Sequence, residues 1–128
     1  MKNRCIIALA AVLLMAGVGT GAFGAHGLRA HVTPEMLSVW QTAVLYQLVH
    51  ALGLLILPAL RPRLHTLLAS AAAICLVVGI LLFSGSLYML VLTDIRGLGA
   101  ITPIGGVSFM LGWLLLAIAG LKGTKPEA

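Results

Sequence analysis

Hydrophobic and polar positions follow one another along this chain in very long blocks. Four stretches contain no Asp, Glu, Lys or Arg: residues 5–28, 36–60, 64–93 and 97–121. The hydrocarbon core of a bilayer is about 30 Å thick, so a helix needs roughly 20 apolar residues to cross it. Each stretch meets that length. The pattern therefore predicts an all-α fold, an integral membrane four-helix bundle made of two transmembrane hairpins.

Composition agrees with a chain that lipid surrounds. Of its 128 residues, 61% are hydrophobic and 9% are charged, whereas an ordinary soluble domain is about 25% charged. The apolar stretches leave room only for short loops and tails, so we expect no soluble domain. We predict one transmembrane domain over residues 1–128. Its approximate spans are residues 5–26, 37–60, 66–92 and 101–121.

The basic residues indicate how the chain is threaded. Most of them flank three segments that an even number of crossings brings to one side: Lys2, Arg4, Arg61, Arg63, Lys122 and Lys125. The two opposite loops hold only Arg29 and Arg96, and an acid offsets each of them. By the positive-inside rule, both termini are cytoplasmic. Bases paired at span ends, rather than gathered in one patch, also argue against nucleic acid as a partner.

Local signals agree with these boundaries. Thr33 and Pro34 are typical of the N-cap and first residue of a helix, and Thr102-Pro103 repeats the device before the fourth span. Trp40 is expected near the membrane interface, where aromatic side chains form belts. Residues 1–24 also resemble a secretory signal. We expect this segment to be retained as the first span.

Small residues predict where the helices touch. Burial from water does not drive helices together in lipid, so close contact depends on small residues and on polar bonds. The helix-packing candidates recur at helical spacing: Gly17, Gly21, Ala25, Gly79, Gly105, Ser108 and Gly112. We expect these surfaces to pack within one chain. A homo-oligomer is the alternative.

His50 is the most unusual residue because it lies near the middle of the second span. Ionisable side chains at that depth are rare and are candidates for function. Tyr46, Gln47 and His50 share one helix face, which should point into the bundle. The functional interpretation is a proton relay or a site for a polar solute. The simpler interpretation, which we favour, is that these side chains hold helices together by hydrogen bonds.

A second polar group is predicted at the outer ends of the helices. His26 ends the first span, and Tyr88 and Asp94 close the third. We interpret them as a structural cluster with a His26–Asp94 hydrogen bond between the hairpins. No metal-binding spacing such as HExxH occurs, so we expect no metal, no other cofactor and no catalytic residue.

Several segments together resemble a known family. They are residues 21–28 (GAFGAHGL), 40–46 (WQTAVLY), 50–54 (HALGL), 83–88 (FSGSLY) and 101–106 (ITPIGG). These motifs are similar to those of the YgdD-like family of small multi-pass inner-membrane proteins, domain of unknown function 423. The resemblance implies a four-span protein of the bacterial cell inner membrane and supplies no activity. Its motifs include most of the polar candidates, among them Ser84 and Ser86.

The sequence is compatible with three functions. The first is a structural or accessory membrane protein that binds a partner protein or membrane lipid. The second is a small oligomeric channel or carrier that uses the polar stripe around His50. The third and weakest is an enzyme acting on lipid through His26 and Asp94. We expect the first, and we expect no enzymatic activity.

Overall fold

A computed structural model of the protein describes residues 1–123, which contain four long helices and no strand. Each helix is long and apolar enough to cross a membrane. The prediction of an all-α, four-helix membrane fold is confirmed. Lys125 lies outside the described residues. The helices are α1 (Asn3–His26), α2 (Pro34–Leu60), α3 (Thr66–Thr93) and α4 (Thr102–Leu121).

Helix α2 begins where its sequence predicts. The Thr33 hydroxyl accepts a hydrogen bond from the Met36 backbone N–H at 3.2 Å, and Pro34 is the first helical residue. Proline is favoured there because its missing N–H would have no partner in the helix. The short connection before the cap, which includes a 3₁₀ turn over Leu28–Ala30, reverses the chain, and α1 and α2 pack as a hairpin.

Helix α3 contains a wide π turn over Ile80–Ser84, a feature that the hydrophobic pattern does not predict. The turn closes with the backbone N–H of Gly85 donating to the carbonyl of Ile80. Such turns insert one residue into an α-helix and change the direction of the side chains around them. Here the turn separates Phe83, which faces α4, from Ser84, which faces α2.

Helix α4 packs against α3 through small residues. A Cβ atom at Gly105 would run into the backbone of Leu82 and Phe83, so only glycine permits this approach. One turn further on, the Ser108 hydroxyl donates to the carbonyl of Cys75 at 2.8 Å. Gly112 lies against Leu76 and Cys75 in turn. The face predicted from Gly105, Ser108 and Gly112 is therefore the face that contacts α3.

The start of α1 and the end of α4 lie at one end of the bundle, which we call the basic end. Arg61 donates through Nη1 to the carbonyl of Met1 at 2.8 Å and to Oδ1 of Asn3 at 2.6 Å. Its Nη2 donates to the Ser70 hydroxyl at 2.6 Å. The His65 backbone N–H donates to the carbonyl of Ala119 at 3.0 Å. The start of α1, the α2–α3 turn and the end of α4 are thus joined.

The interior changes in character along the bundle. Near the basic end it is apolar and fully buried, with Ile6, Ala10, Leu54, Leu57 and Ala73 in one cluster. Toward the other end, polar side chains enter the interior around α2. The backbones of α2 and α4 approach closely at few points, and aromatic rings fill the gap between them.

Candidate functional site around Gln47 and His50

Gln47 joins three helices through both ends of its amide. Its Nε2 donates to the carbonyl of Leu13 in α1 at 2.8 Å. Its Oε1 accepts from the Tyr88 hydroxyl of α3 at 2.6 Å. The side chain is 4% exposed. Buried amides in lipid require such partners, because no water is available to replace them.

Thr20 and Trp40 extend this set of bonds. The Thr20 hydroxyl lies 3.1 Å from the Tyr88 hydroxyl and 3.1 Å from the carbonyl of Gly17. Tyr88 gives its only proton to Gln47, so the single Thr20 proton is shared between the Gly17 carbonyl and the Tyr88 oxygen. Trp40 donates through Nε1 to the carbonyl of Thr20 at 2.8 Å, and its ring lies 4.6 Å from that of Tyr88. We call Thr20, Trp40, Gln47 and Tyr88 the Gln47 network.

Trp40 packs inside the bundle and not in an aromatic belt on its surface. Its side chain is 4% exposed and lies over Gly24, where a Cβ atom would be 2.6 Å from the indole ring. The indole therefore packs between α1 and α3. Gly24 makes room for it, although the small-residue pattern pointed instead to Ala25, whose side chain is exposed.

The other predicted residues of α1 contact α2. Gly17 is buried, and a Cβ atom there would lie 2.6 Å from the side chain of Leu48. Gly21 is half-buried, with Val44 at ordinary contact distance from the same point. The contact ridge of α1 is thus Gly17, Gly21 and Gly24.

His50 makes a different kind of bond from Gln47. Its Nδ1 lies 2.7 Å from the carbonyl of Tyr46 on its own helix, and because a carbonyl only accepts, Nδ1 is the donor. In the neutral ring Nε2 then carries a lone pair that forms no hydrogen bond within residues 1–123. Every buried side-chain nitrogen or oxygen in these residues has a partner, so Nε2 keeps some accessible surface. His50 is 6% exposed, and its ring stacks on Phe109 of α4 at 3.6 Å between centroids. The histidine contacts α4 by ring packing and forms no hydrogen bond to it.

A cavity of about 410 Å³ lies beside His50, between α2, the π turn of α3 and α4. We call it the side cavity. Residues that line it include Tyr46, His50, Phe83, Gly106, Phe109 and Trp113. At its rim, Val107 is 64% exposed and Met110 is 73% exposed. The side cavity therefore opens laterally, on the surface that lipid would cover.

Aromatic rings around the side cavity pack directly against glycines. A Cβ atom at Gly53 would lie 2.6 Å from the Trp113 ring, and one at Gly79 would run into the Phe109 ring. Each ring thus lies directly on a helix backbone. Gly106 differs from them, since its nearest neighbour is Phe83 at 3.8 Å. A Cβ atom at Gly106 would therefore fit without displacing a neighbour, and a longer side chain there would extend into the cavity.

The expectation that Tyr46, Gln47 and His50 form one stripe pointing into the bundle needs correction. Gln47 points toward α1 and α3, and His50 toward α4. Tyr46 is 39% exposed, with its ring stacked 4.4 Å from that of Phe83. Residues three and four apart on a helix are neighbours, but they are turned by 60° or 40° in opposite directions, and that suffices to separate their partners.

Ser84, the last residue of the π turn, and Ser86 form hydrogen bonds to the neighbouring helices. The Ser84 hydroxyl donates to the carbonyl of Ala43 in α2 at 2.7 Å. The Ser86 hydroxyl lies 2.6 Å from that of Thr102 in α4 and also donates to the carbonyl of Phe83 at 3.0 Å. Both serines thus join α3 to its neighbours.

The predicted His26–Asp94 hydrogen bond is not formed. His26 is exposed at the end of α1. Asp94 ends α3 in a left-handed conformation, with φ of 54°, and its carboxylate lies 3.5 Å from Arg96 Nε. Both partners are 74% exposed, so this ion pair contributes little stability. Across residues 1–123, no three His, Cys, Asp or Glu side chains lie close enough to hold one metal ion.

The fold and the site are those of a helical membrane protein with a hydrogen-bonded interior around Gln47 and a side cavity beside His50. Comparison with known proteins assigns the family. The model of the family "Protein of unknown function (DUF423)" matches residues 20–106, more than half of the chain, and the chain belongs to this family.

The relatives are named as membrane proteins. A UPF0382 membrane protein of Staphylococcus epidermidis is 50% identical over 119 residues, which cover 93% of this chain and 97% of the relative. The UPF0382 membrane protein YwdK of Bacillus subtilis is 43% identical over 120 residues, or 93% and 98% of the two chains. No solved structure matches this chain. The predicted membership of the domain-of-unknown-function family 423 and the prediction of a membrane protein are thereby confirmed.

Proposed function

We propose that this protein is a non-enzymatic accessory protein of the bacterial inner membrane, which binds a membrane component at its lateral surface. The observation that carries the proposal is the side cavity, which is lined by aromatic rings and open toward lipid. Small-molecule sites are concave and mostly apolar, with a few polar groups that orient the ligand. Three of the side chains that line the side cavity carry a polar atom: Tyr46, His50 and Trp113.

The same geometry favours binding over transport. Gln47, the second polar member of the predicted stripe, uses both ends of its amide within the chain. Below His50, toward the basic end, the interior is filled by buried apolar side chains such as Leu54 and Leu57. A channel along this helix would need those side chains to move apart. The small oligomeric channel or carrier is therefore the less favoured proposal.

A photoreactive phospholipid with a diazirine in its acyl chain tests lateral binding. In proteoliposomes we expect it to label residues around the side cavity, and Gly106→Leu should reduce that labelling at least several-fold. Gly19→Leu is the matched control, because a Cβ atom at Gly19 meets nothing within 4 Å. Uniform labelling of the helix surfaces, unchanged by Gly106→Leu, would contradict the proposal.

Flux measurements separate the accessory role from transport. Proteoliposomes with the wild-type chain should show background proton and solute flux, and His50→Ala should leave that flux unchanged. A flux above background that His50→Ala abolishes would favour the carrier and overturn the accessory role.

We also propose that both termini lie in the cytoplasm. The basic end carries the bases near both termini and in the α2–α3 turn, and the positive-inside rule assigns such an end to the cytoplasm. In a chain with Cys5 and Cys75 replaced by serine, Gly97→Cys should react with an impermeant thiol reagent added outside. Labelling only after the membrane is opened would reverse the orientation.

A further inference from the structure

We infer that the ligand of the side cavity is a lipid-soluble ring compound bearing a hydroxyl group, of the phenol or hydroquinone class, whose O–H donates to Nε2 of His50. This inference rests on the proposed lateral binding function and specifies its ligand. It follows from three features of the side cavity: an unpaired acceptor, walls of rings and a limited volume.

The unpaired acceptor is the first feature. Nδ1 of His50 donates to Tyr46, which leaves the Nε2 lone pair without a partner among the described residues, although the side chain is 94% buried. An unpaired polar atom in an apolar medium costs free energy. Lipid tails carry no hydrogen-bond donor, and water is scarce at this depth. A ligand hydroxyl reaching His50 through the cavity supplies the missing donor.

The walls favour a flat ring. Phe83, Tyr46 and Trp113 present ring faces and edges around His50, with the Tyr46 and Phe83 rings 4.4 Å apart and Trp113 5.7 Å from His50. Aromatic side chains pack best with other rings in offset or edge-to-face arrangements. An acyl chain would fill the same space but would make neither the ring contacts nor the hydrogen bond.

Volume and charge exclude larger or ionic occupants. The cavity of about 410 Å³ falls in the usual range for small-molecule sites. A partner helix is about 10 Å across and would need a groove many turns long. The residues that line the cavity include no Lys or Arg, so nothing there would hold a phosphate headgroup.

The experiment uses the full chain in lipid nanodiscs with Trp40→Phe, which leaves Trp113 as its single tryptophan. The probes are a bromine-substituted dodecylphenol and its methyl ether, which share ring, chain and bromine and differ only in the O–H. Bromine quenches tryptophan fluorescence at contact. The phenol should quench Trp113 saturably, at about ten-fold lower mole fraction than the ether, as one hydrogen bond in a dry site allows.

Variants assign the effect to His50. His50→Phe keeps a ring against Phe109 but removes the acceptor, so it should bring the phenol and the ether within about two-fold of each other. Gly106→Leu should abolish saturable quenching by both probes, and Gly19→Leu should leave both unchanged. As a readout that needs no substitution at His50, the ¹⁵N signal of its Nε2 should shift with the phenol and not with the ether.

The contrary outcomes separate this inference from the function it rests on. Equal quenching by phenol and ether, lost in Gly106→Leu, would overturn the hydroxyl ligand and leave lateral binding standing. Quenching that Gly106→Leu does not alter would overturn both. The inference would also be overturned if the preference for the phenol survived in His50→Phe. A change of oligomeric state in Gly106→Leu would overturn it too, because it would indicate that a second copy of the chain fills the cavity.

Discussion

Gln47 and His50 lie one helical turn apart on α2, yet their surroundings are opposite. Gln47 is bonded to α1 and α3 through both ends of its amide, inside a closed network. His50 is bonded to its own helix, with its remaining nitrogen beside a cavity that opens to lipid. The difference teaches that a polar residue in a membrane span can hold helices together or remain free for a ligand, and that its partners decide which.

Two neighbouring glycines of α4 should show the largest effect on the free energy of unfolding. Gly105 faces the α3 backbone, whereas Gly106 faces the side cavity. Because backbone atoms cannot move aside as a side chain does, Gly105→Ala should lower the free energy of unfolding by about 3 kcal/mol. Gly106→Ala should lower it by less than about 0.5 kcal/mol. Unfolding in bicelles measures both losses. Equal losses would mean that the contact of Gly105 with α3 and the side cavity next to Gly106 are packed equally tightly.

Removing the amide of Gln47 should have the next largest effect. Gln47→Met keeps the length of the side chain but removes its hydrogen bonds to Tyr88 and to the carbonyl of Leu13. We expect a loss of about 2 kcal/mol in the free energy of unfolding. Gln41→Met is the matched control, since Gln41 is exposed on the same helix, and it should cost little. If both variants unfold alike, the Gln47 network does not stabilise the fold.

His50→Phe should have the smallest effect. It removes a hydrogen bond within α2 and preserves ring packing on Phe109, so the loss should stay below about 1 kcal/mol. The same unfolding measurement applies. A loss as large as that of Gln47→Met would show that His50 holds helices together, and the contrast between the two residues would disappear.

The fold was readable from the sequence because the lipid solvent imposes length and charge limits on every span. The capped start of α2 at Thr33 and the small face of α4 were also readable, since each depends on local residue types. Gln47 and His50 were recognised as unusual for the same reason. Their separate roles were not, because the partners come from other helices: Leu13, Tyr88 and Phe109.

The π turn and the aromatic rings were missed for another physical reason. Phe83, Phe109 and Trp113 look like ordinary apolar residues of a span, and nothing in a lipid-facing pattern marks which of them line a cavity. The glycines opposite them, Gly53 and Gly79, were the available signal. A glycine within a span leaves room for a ring on the facing helix, just as Gly24 does for Trp40.

The two tryptophans test the central contrast most directly. Trp40 belongs to the closed network and is 4% exposed, whereas Trp113 borders the side cavity and is 38% exposed. In bilayers of lipids brominated along the acyl chain, Trp40→Phe leaves Trp113 as reporter, and Trp113→Phe leaves Trp40. At the bromine depth that quenches each tryptophan most, we predict strong quenching of Trp113 and weak quenching of Trp40. Equal quenching of the two, or stronger quenching of Trp40, would contradict it.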